Sequence, residues 1–257
     1  GDPLTFPLEP RQFLRCDATD LSGLRVGWSE DLGVCDVDPM VRQAFRERIA
    51  AVAPWFAVCE PVELDFVGAH ECFDVLRAES FVAGMDAAYQ QDPDSLGPNP
   101  RANYEQGAAM SLRDAACARA DQTRLVQAFQ RVFERYDLIL CPTTPLSPFP
   151  WTSLYADTID GHAQANYYRW LALTYVLTLT AHPAISLPCG LDARGMPFGL
   201  QAVGRFRGDA QLLSISLALE SAFNASELMR RPIPNLARLP EASPPLKSIV
   251  TAPPLTS

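Results

Sequence analysis

The sequence is almost without lysine. Lys247 is the one lysine among the 21 basic residues, and all the others are arginines. A lysine that acts as a base must be desolvated, or held near other charged groups, so that its pKa falls toward neutrality. Lys247 lies in a proline-rich segment that offers no such environment. Catalysis by a lysine of this chain would have to use Lys247, and we expect that side chain to be solvated instead.

The signatures of several protein classes are also absent. A net charge of -9 and a pI near 4.8 argue against a surface that binds nucleic acid or anionic lipid. The sequence contains no G-x-S-x-G, P-loop, G-x-G-x-x-G or H-E-x-x-H motif, and its seven cysteines lack zinc-site spacing. No apolar run approaches the roughly 18 residues of a membrane helix. We therefore expect no metal, cofactor, nucleic acid or membrane partner, and free thiols in a reducing cytoplasm.

What is present is an alternation of strand and helix patterns. Leu24–Trp28 and Val62–Phe66 alternate as strands do, and a helix with Asp38 as its N-cap lies between them. The apolar run at 137–141 predicts a strand buried on both faces. The remaining predictions are helices over about 71–91, 107–136 and 161–181, a hairpin of 184–187 with 198–204, and a helix from Gly208. The β-α-β order predicts an α/β fold.

Candidate functional residues follow the predicted strands. Ligands of open α/β sheets bind beyond the carboxyl ends of the strands, and the buried strand leads directly into Thr143 and Thr144. These two hydroxyls either line a cleft or cap the turn between strand and loop. Cys189 follows a second strand with no histidine or arginine close in sequence, so we expect a buried structural thiol. His182 is expected to make a structural hydrogen bond, because the sequence names no partner for a histidine base.

Several of these segments together carry a family resemblance. Residues 136–145 read YDLILCPTTP, and residues 182–190 read HPAISLPCG. The other matching segments are Leu21–Gly27, Val37–Arg42, Gly195–Gly204 and Gly208–Leu213. In this order and spacing, from about Asp2 to Glu220, the chain resembles the carboxyl-terminal portion of the amidase signature enzymes.

The resemblance implies amide hydrolysis by a Ser–cis-Ser–Lys triad. In that chemistry a neutral lysine takes a proton through the bridging serine, and the second serine attacks the carbonyl carbon. The family's lysine and its Gly/Ser-rich loop precede the matched region, and this sequence has no Ser-Ser pair. No catalytic residue is therefore assigned to this chain. On position and resemblance, we predict that Thr143, Thr144, Trp151 and Tyr155 bind the substrate.

The resemblance also implies the architecture. We expect residues 1–230 to form part of an α/β/α sandwich with a mixed, largely parallel central sheet, which is incomplete without the amino-terminal half. Residues 231–257 are expected to form an extended, proline-rich tail.

Two functions remain open at this point. In the first, the chain is the carboxyl-terminal portion of an amidase for a small-molecule amide, inactive alone and completed by an amino-terminal portion that carries the serines and the lysine. In the second, it is a non-catalytic relic, or a small-molecule-binding or structural subunit. Without the neighbouring strands, the chain would expose backbone at a sheet edge, which favours a partner. A homo-oligomer of the complete enzyme is also left open.

Overall fold

The chain forms a mixed α/β structure. The computed structural model describes residues 7, 9–14 and 16–238. The strands in this part of the chain are β1 (Arg25–Trp28), β2 (Val58–Pro61), β3 (Leu138–Pro142), β4 (Thr158–Ile159), β5 (His162–Ala163), β6 (Ala184–Leu191) and β7 (Pro197–Val203). The α-helices are α1 (Pro39–Val52), α2 (Ala69–Gln91), α3 (Pro98–Ala108), α4 (Leu112–Arg135), α5 (Ala172–Thr178) and α6 (Asp209–Asn224). None of the helices in the described ranges combines the length and the apolar character that crossing a bilayer would require.

Five of the strands form one sheet in the order β2-β1-β3-β7-β6. β1 pairs in parallel with both β2 and β3, whereas β7 runs antiparallel to β3 and to β6. Four of the five strands therefore point in one direction and only β7 opposes them. This arrangement confirms the predicted mixed, largely parallel sheet.

The central strand is β3, as its continuous apolar sequence predicts. Every residue from Leu138 to Pro142 is buried, and Leu138 pairs with Val26 of β1 while Ile139 pairs with Val203 of β7. α1 contacts β3 and β7, and α6 contacts β6 and β7, so that apolar helix residues complete the core around this strand. The buried central strand therefore determines the position of the segment that follows it.

One predicted strand is misplaced. β2 is formed by Val58–Pro61, and not by Val62–Phe66. The last hydrogen bond of this pairing runs from the Val62 amide to the Trp28 carbonyl, at 2.9 Å, because β1 ends at Trp28. Side chains beyond Val62 still alternate in exposure, but among the described residues no neighbouring strand pairs with their backbone.

Two predicted helices are shorter than expected. The helix over 107–136 begins only at α4, where Ser111 and Asp114 form a capping box, and Gly107 belongs to α3. The helix over 161–181 reduces to α5. It is preceded by a hairpin of β4 with β5, whose turn residues Asp160 and Gly161 have φ values of 50° and 79°. An Asp-Gly pair is a strong signal for such a turn, and it outweighs the helical pattern there.

The other predicted elements are confirmed as α1, α2, the β6–β7 hairpin and α6. The predicted tail over 231–257 falls mostly outside the described residues, which end at 238, as does Lys247. The described residues of that stretch include one short 3-10 turn at Leu236–Arg238.

Candidate functional site

The turn after β3 presents a pair of hydroxyl groups. The Oγ1 atom of Thr143 lies 2.7 Å from the Oγ atom of Ser186 on β6, and the Thr143 amide donates to the Gly199 carbonyl at 3.0 Å. A Cβ atom at Gly199 would lie 2.8 Å from the Thr143 Oγ1, so only glycine leaves room for this pair. Thr144 is exposed, and its hydroxyl donates within the turn to the Leu146 carbonyl at 3.2 Å. Thr143 therefore belongs to an exposed hydroxyl pair, while Thr144 stabilises the turn.

The two aromatic residues predicted to bind substrate lie on the loop that follows. Trp151 is 60% exposed, and Tyr155 is half-buried with its ring centroid 6.3 Å from that of Tyr167. In the described ranges, no hydrogen bond or ring contact joins either residue to Thr143 or Thr144. The structure thus brings Tyr155 toward a group of aromatic side chains and leaves the threonine turn separate.

Those aromatic side chains line a cavity of about 330 Å³, which we call the aromatic pocket. Its walls come from α2, the 167–171 segment and α5, together with one loop residue. They are Phe73, Arg77, Leu154, Tyr167, Tyr168, Trp170, Leu171, Thr174, Tyr175 and Thr178. The rings of Phe73 and Tyr175 stack with centroids 4.1 Å apart, and this contact holds α2 against α5. A pocket of this size and lining is typical of a small-molecule site.

A chain of hydrogen bonds fixes the polar groups beside the aromatic pocket. The Arg169 guanidinium donates to Asp74 and to the Tyr175 hydroxyl, each at 2.7 Å. The Tyr175 hydroxyl in turn donates to Nδ1 of His70 at 2.6 Å, and Nε2 of His70 donates to the Val34 carbonyl at 2.8 Å. Burial lowers the pKa of His70 and raises the pKa of Tyr175 to about 12, so both stay neutral near pH 7. Arg169 therefore holds the Tyr175 hydroxyl in place, and its charge is already paired with that of Asp74.

Two residues that a hydrolase could have used are inert in this arrangement. Burial raises the pKa of the Cys189 thiol to about 12, in spite of the nearby Arg48, so the nucleophilic thiolate does not form near neutral pH. His182 packs against Phe133, with ring centroids 5.1 Å apart, and its Nδ1 donates to the Thr180 carbonyl at 2.9 Å. Burial lowers its pKa as well. The structural hydrogen bond expected for His182 is confirmed.

Sequence reasoning missed most of the aromatic pocket. A signal for it was present: Phe73, Arg77 and Phe81 recur at every fourth position of α2, and Tyr167-Tyr168-Arg169-Trp170 is unusually aromatic. Neither pattern alone indicates that the two segments meet. Over the residues that the structure describes, no group of three or more His, Cys, Asp or Glu side chains is placed to hold a metal ion.

The mixed sheet, the hydroxyl pair beyond its central strand and the aromatic pocket define an α/β protein with a cavity of small-molecule size. A sequence model of the Amidase family matches residues 4–213. The chain belongs to the amidase signature family, and the resemblance found in its sequence is confirmed.

Known relatives extend well beyond this chain. It is 28% identical over 206 residues to the 2-amino-5-chloromuconic acid deaminase of Comamonas testosteroni, covering 78% of this chain and 44% of the relative. It is 33% identical over 227 residues to a glutamyl-tRNA(Gln) amidotransferase subunit of Thermosynechococcus vestitus, covering 78% and 46%. The crystal structure of a bacterial aryl acylamidase superposes with a TM-score of 0.72 at 21% identity, over 80% of this chain and 44% of that one. The chain therefore spans about half the length of the relatives it matches.

Proposed function

We propose that this chain is the carboxyl-terminal portion of an amidase. The complete enzyme would hydrolyse a small-molecule amide to a carboxylate and an amine or ammonia through a serine acyl-enzyme. Membership of the Amidase family supports amide hydrolysis, and the share of the relatives that the chain spans supports a partial enzyme. The catalytic serines and lysine would lie on an amino-terminal portion, in the same protein or in a partner chain.

The observation that carries this proposal is the open edge of the sheet at β6. This strand is eight residues long and, within the described part of the chain, pairs only with β7. An unpaired edge of this length is a template for another strand. α6, which packs on β6, also exposes Leu213 (38%) and Leu217 (42%) one turn apart. We propose that the amino-terminal portion covers this surface.

We propose that the substrate contacts residues of the turn after β3 and of the loop that follows it. We propose that Thr143 and Ser186 offer hydroxyl groups to the polar part of the substrate, since their oxygens are exposed and 2.7 Å apart. Thr144, Trp151 and Tyr155 would complete the contacts from the turn and the loop. In the assembled enzyme, Thr143→Val should raise KM more than it lowers kcat, because it removes a binding hydroxyl without touching the triad.

A direct experiment starts from native material. A denaturing gel with intact-mass measurement shows whether a second polypeptide, or a longer chain, carries a Gly/Ser-rich loop and a lysine. The assembly should then release amine or ammonia from an amide panel and lose this activity to a serine-directed reagent. Turnover by the pure 257-residue chain would contradict the proposal.

The proposed surface has its own test. Leu213→Glu and Leu217→Glu should weaken co-purification of the chain with an amino-terminal portion, because they place charge in an apolar contact. Val67→Glu is the matched control, since Val67 is also exposed but lies in the loop before α2. Equal loss with the control variant would show that the surface has no special role.

A second candidate function is a small-molecule-binding subunit without catalysis. The aromatic pocket favours it, because its walls are formed within this chain and contain no triad residue. Ligand binding by native material that holds neither a second polypeptide nor a longer chain would support this alternative.

For the cellular location we propose the cytoplasm. All seven cysteines lie in the described residues and are free thiols, which fits a reducing compartment. A homo-oligomer of the complete enzyme is likewise a proposal, and the mass of the native assembly in solution would test it.

A further inference from the structure

Arg77 carries a charge that no carboxylate neutralises within the described part of the chain. Its Nη2 atom donates to the Tyr167 hydroxyl at 2.7 Å, and its Nε atom is buried without a hydrogen-bond partner among the residues that the structure describes. The chain has a net charge of -9, and acidic groups are common near its other arginines. An uncompensated guanidinium in such a protein requires an explanation.

The nearby carboxylates are already engaged. Asp74 accepts hydrogen bonds from Tyr168 and Arg169, at 2.9 and 2.7 Å. Glu79 accepts from Arg119 at 2.5 Å. Both of these acids lie within one turn of Arg77 on α2, yet their charges are paired with other arginines.

Aromatic rings surround the guanidinium. Its Cζ atom lies 4.6 Å from the ring centroid of Tyr168, 4.8 Å from that of Phe81 and 5.7 Å from that of Tyr167. Arg77 also lines two cavities of about 330 Å³ each, the aromatic pocket and a neighbouring one, which share Phe73, Arg77 and Thr178. The charge therefore stands between two spaces of small-molecule size and against flat apolar surfaces.

A purely structural role accounts for only part of this geometry. The ring contacts and the bond to Tyr167 would hold α2 against the 167–171 segment, but Asn103 already donates to the same Tyr167 hydroxyl at 2.9 Å. Such a role leaves the charge of the guanidinium uncompensated. A ligand carboxylate in a cavity that Arg77 lines would supply the opposite charge, because the planar guanidinium matches a carboxylate with paired N–H groups.

We propose that Arg77 and the rings around it form a subsite for an aromatic carboxylate. The carboxylate would pair with the Arg77 guanidinium, and the ring of the ligand would lie against Tyr168 and its neighbours in the aromatic pocket. This deepens the proposed function and rests on it in one respect: if the complete protein is an amidase, its amide substrate also carries a carboxylate group.

Phenylacetate and phenylacetamide are matched probes, since they share shape and differ in charge. We expect the 257-residue chain to bind phenylacetate at least about tenfold more tightly in calorimetry or ligand-observed NMR, with the preference decreasing as salt rises. Arg77→Gln should abolish the preference, and Arg77→Lys should retain part of it. Arg113→Gln is the control, since Arg113 is exposed and lines neither cavity. Circular dichroism of each variant separates loss of the subsite from loss of the fold.

Equal binding of the two probes by the unmodified chain, or no binding of either, would overturn the proposal. A preference that survives Arg77→Gln would overturn it as well. Because the readout is binding and not turnover, the result is independent of the proposed function. Carboxylate-selective binding in a protein whose assembly hydrolyses no amide would uphold the subsite and refute the amidase.

Discussion

Asp137 connects three neighbouring strands, and replacing it tests how much its hydrogen bonds contribute to the stability of the sheet. Asp137 lies immediately before β3, and its side chain is 19% exposed. It accepts from the backbone amide, Nε and Nη2 of Arg25 at 3.0, 3.1 and 3.1 Å, and from Nη2 of Arg205 at 2.8 Å. Arg25 begins β1 and Arg205 follows β7, so one carboxylate joins β1, β3 and β7. We expect Asp137→Asn to weaken both connections, the one from β3 to β1 and the one from β3 to β7.

The magnitude follows from the charge on this acceptor. Hydrogen bonds to a charged group contribute roughly twice as much as neutral ones, and the half-exposed arginines reduce that advantage through solvent screening. We therefore expect Asp137→Asn to lower the free energy of unfolding by about 2–3 kcal/mol near neutral pH. Urea denaturation followed by circular dichroism measures this difference.

The destabilisation caused by Asp137→Asn should become smaller as the pH falls. Hydrogen bonds from Arg25 and Arg205 hold the pKa of Asp137 well below its ordinary value in the folded state. Its stabilisation is therefore complete above the unfolded pKa of about 3.9 and decreases as the pH falls toward the folded pKa. The difference between the unmodified chain and Asp137→Asn should shrink by about 1 kcal/mol between neutral pH and about pH 3.

Asp17→Asn is the matched control, because Asp17 is exposed and makes no hydrogen bond or ion pair with the other described residues. It should leave stability unchanged within about 0.5 kcal/mol at every pH. A difference for Asp137→Asn that stays constant from neutral pH to about pH 3 would refute the role of its charge. A difference below about 0.5 kcal/mol near neutral pH would refute the role of the contacts themselves.

Two further predictions concern the backbone and the thiols. Gly190→Ala should destabilise the chain by about 3 kcal/mol or more, because a Cβ atom there would overlap the Leu228 carbonyl oxygen at a positive φ of 78°. Gly195 has a similar φ of 74°, but a Cβ atom there would meet no other atom. Gly195→Ala should therefore lower the free energy of unfolding, measured by denaturation, by only about 1–2 kcal/mol. Equal losses of stability in the two variants would contradict the overlap at Gly190. Native alkylation followed by mass spectrometry should label the exposed Cys117 rapidly and the buried Cys189 only after unfolding. Equal rates for the two thiols would show that Cys189 is accessible.

The parts of the fold that could be predicted from the sequence are those set by local pattern. The apolar run at 137–141 has the composition of a strand buried on both faces, and it matches the central strand β3, Leu138–Pro142, to within one residue at each end. The misplaced strand at Val62–Phe66 shows the limit of the same reasoning. Alternation of side chains indicates which residues face the core, but a strand also needs a neighbouring strand to pair with. The last residue of β1, Trp28, pairs with Pro61, so β1 does not extend beside Val62–Phe66.

The candidate site was predictable only where one segment carries it. Thr143 and Thr144 were predicted to bind substrate because they follow the buried strand directly, and that role stays a prediction. The Ser186 partner of Thr143 is 43 residues away, so the hydroxyl pair was not predicted. The aromatic pocket depends on a more distant meeting, since Arg77 and Tyr167 are 90 residues apart. No periodicity within α2 or the 167–171 segment indicates that the two pack together, so the pocket could be recognised only from the structure.

Along β6, the edge strand of the sheet in the described part of the chain, the capacity to pair with another strand is not uniform. Arg48, which is 2% exposed, donates to the carbonyls of Cys189 and Leu191 and so covers the irregular end of β6. Pro188 has no amide hydrogen and cannot donate to a neighbour. The first half of the strand, Ala184–Leu187, has neither restriction. If an amino-terminal portion extends the sheet, its strand must therefore pair along Ala184–Leu187, next to the hydroxyl of Ser186, which would bring the edge of that portion beside the pair that Ser186 forms with Thr143.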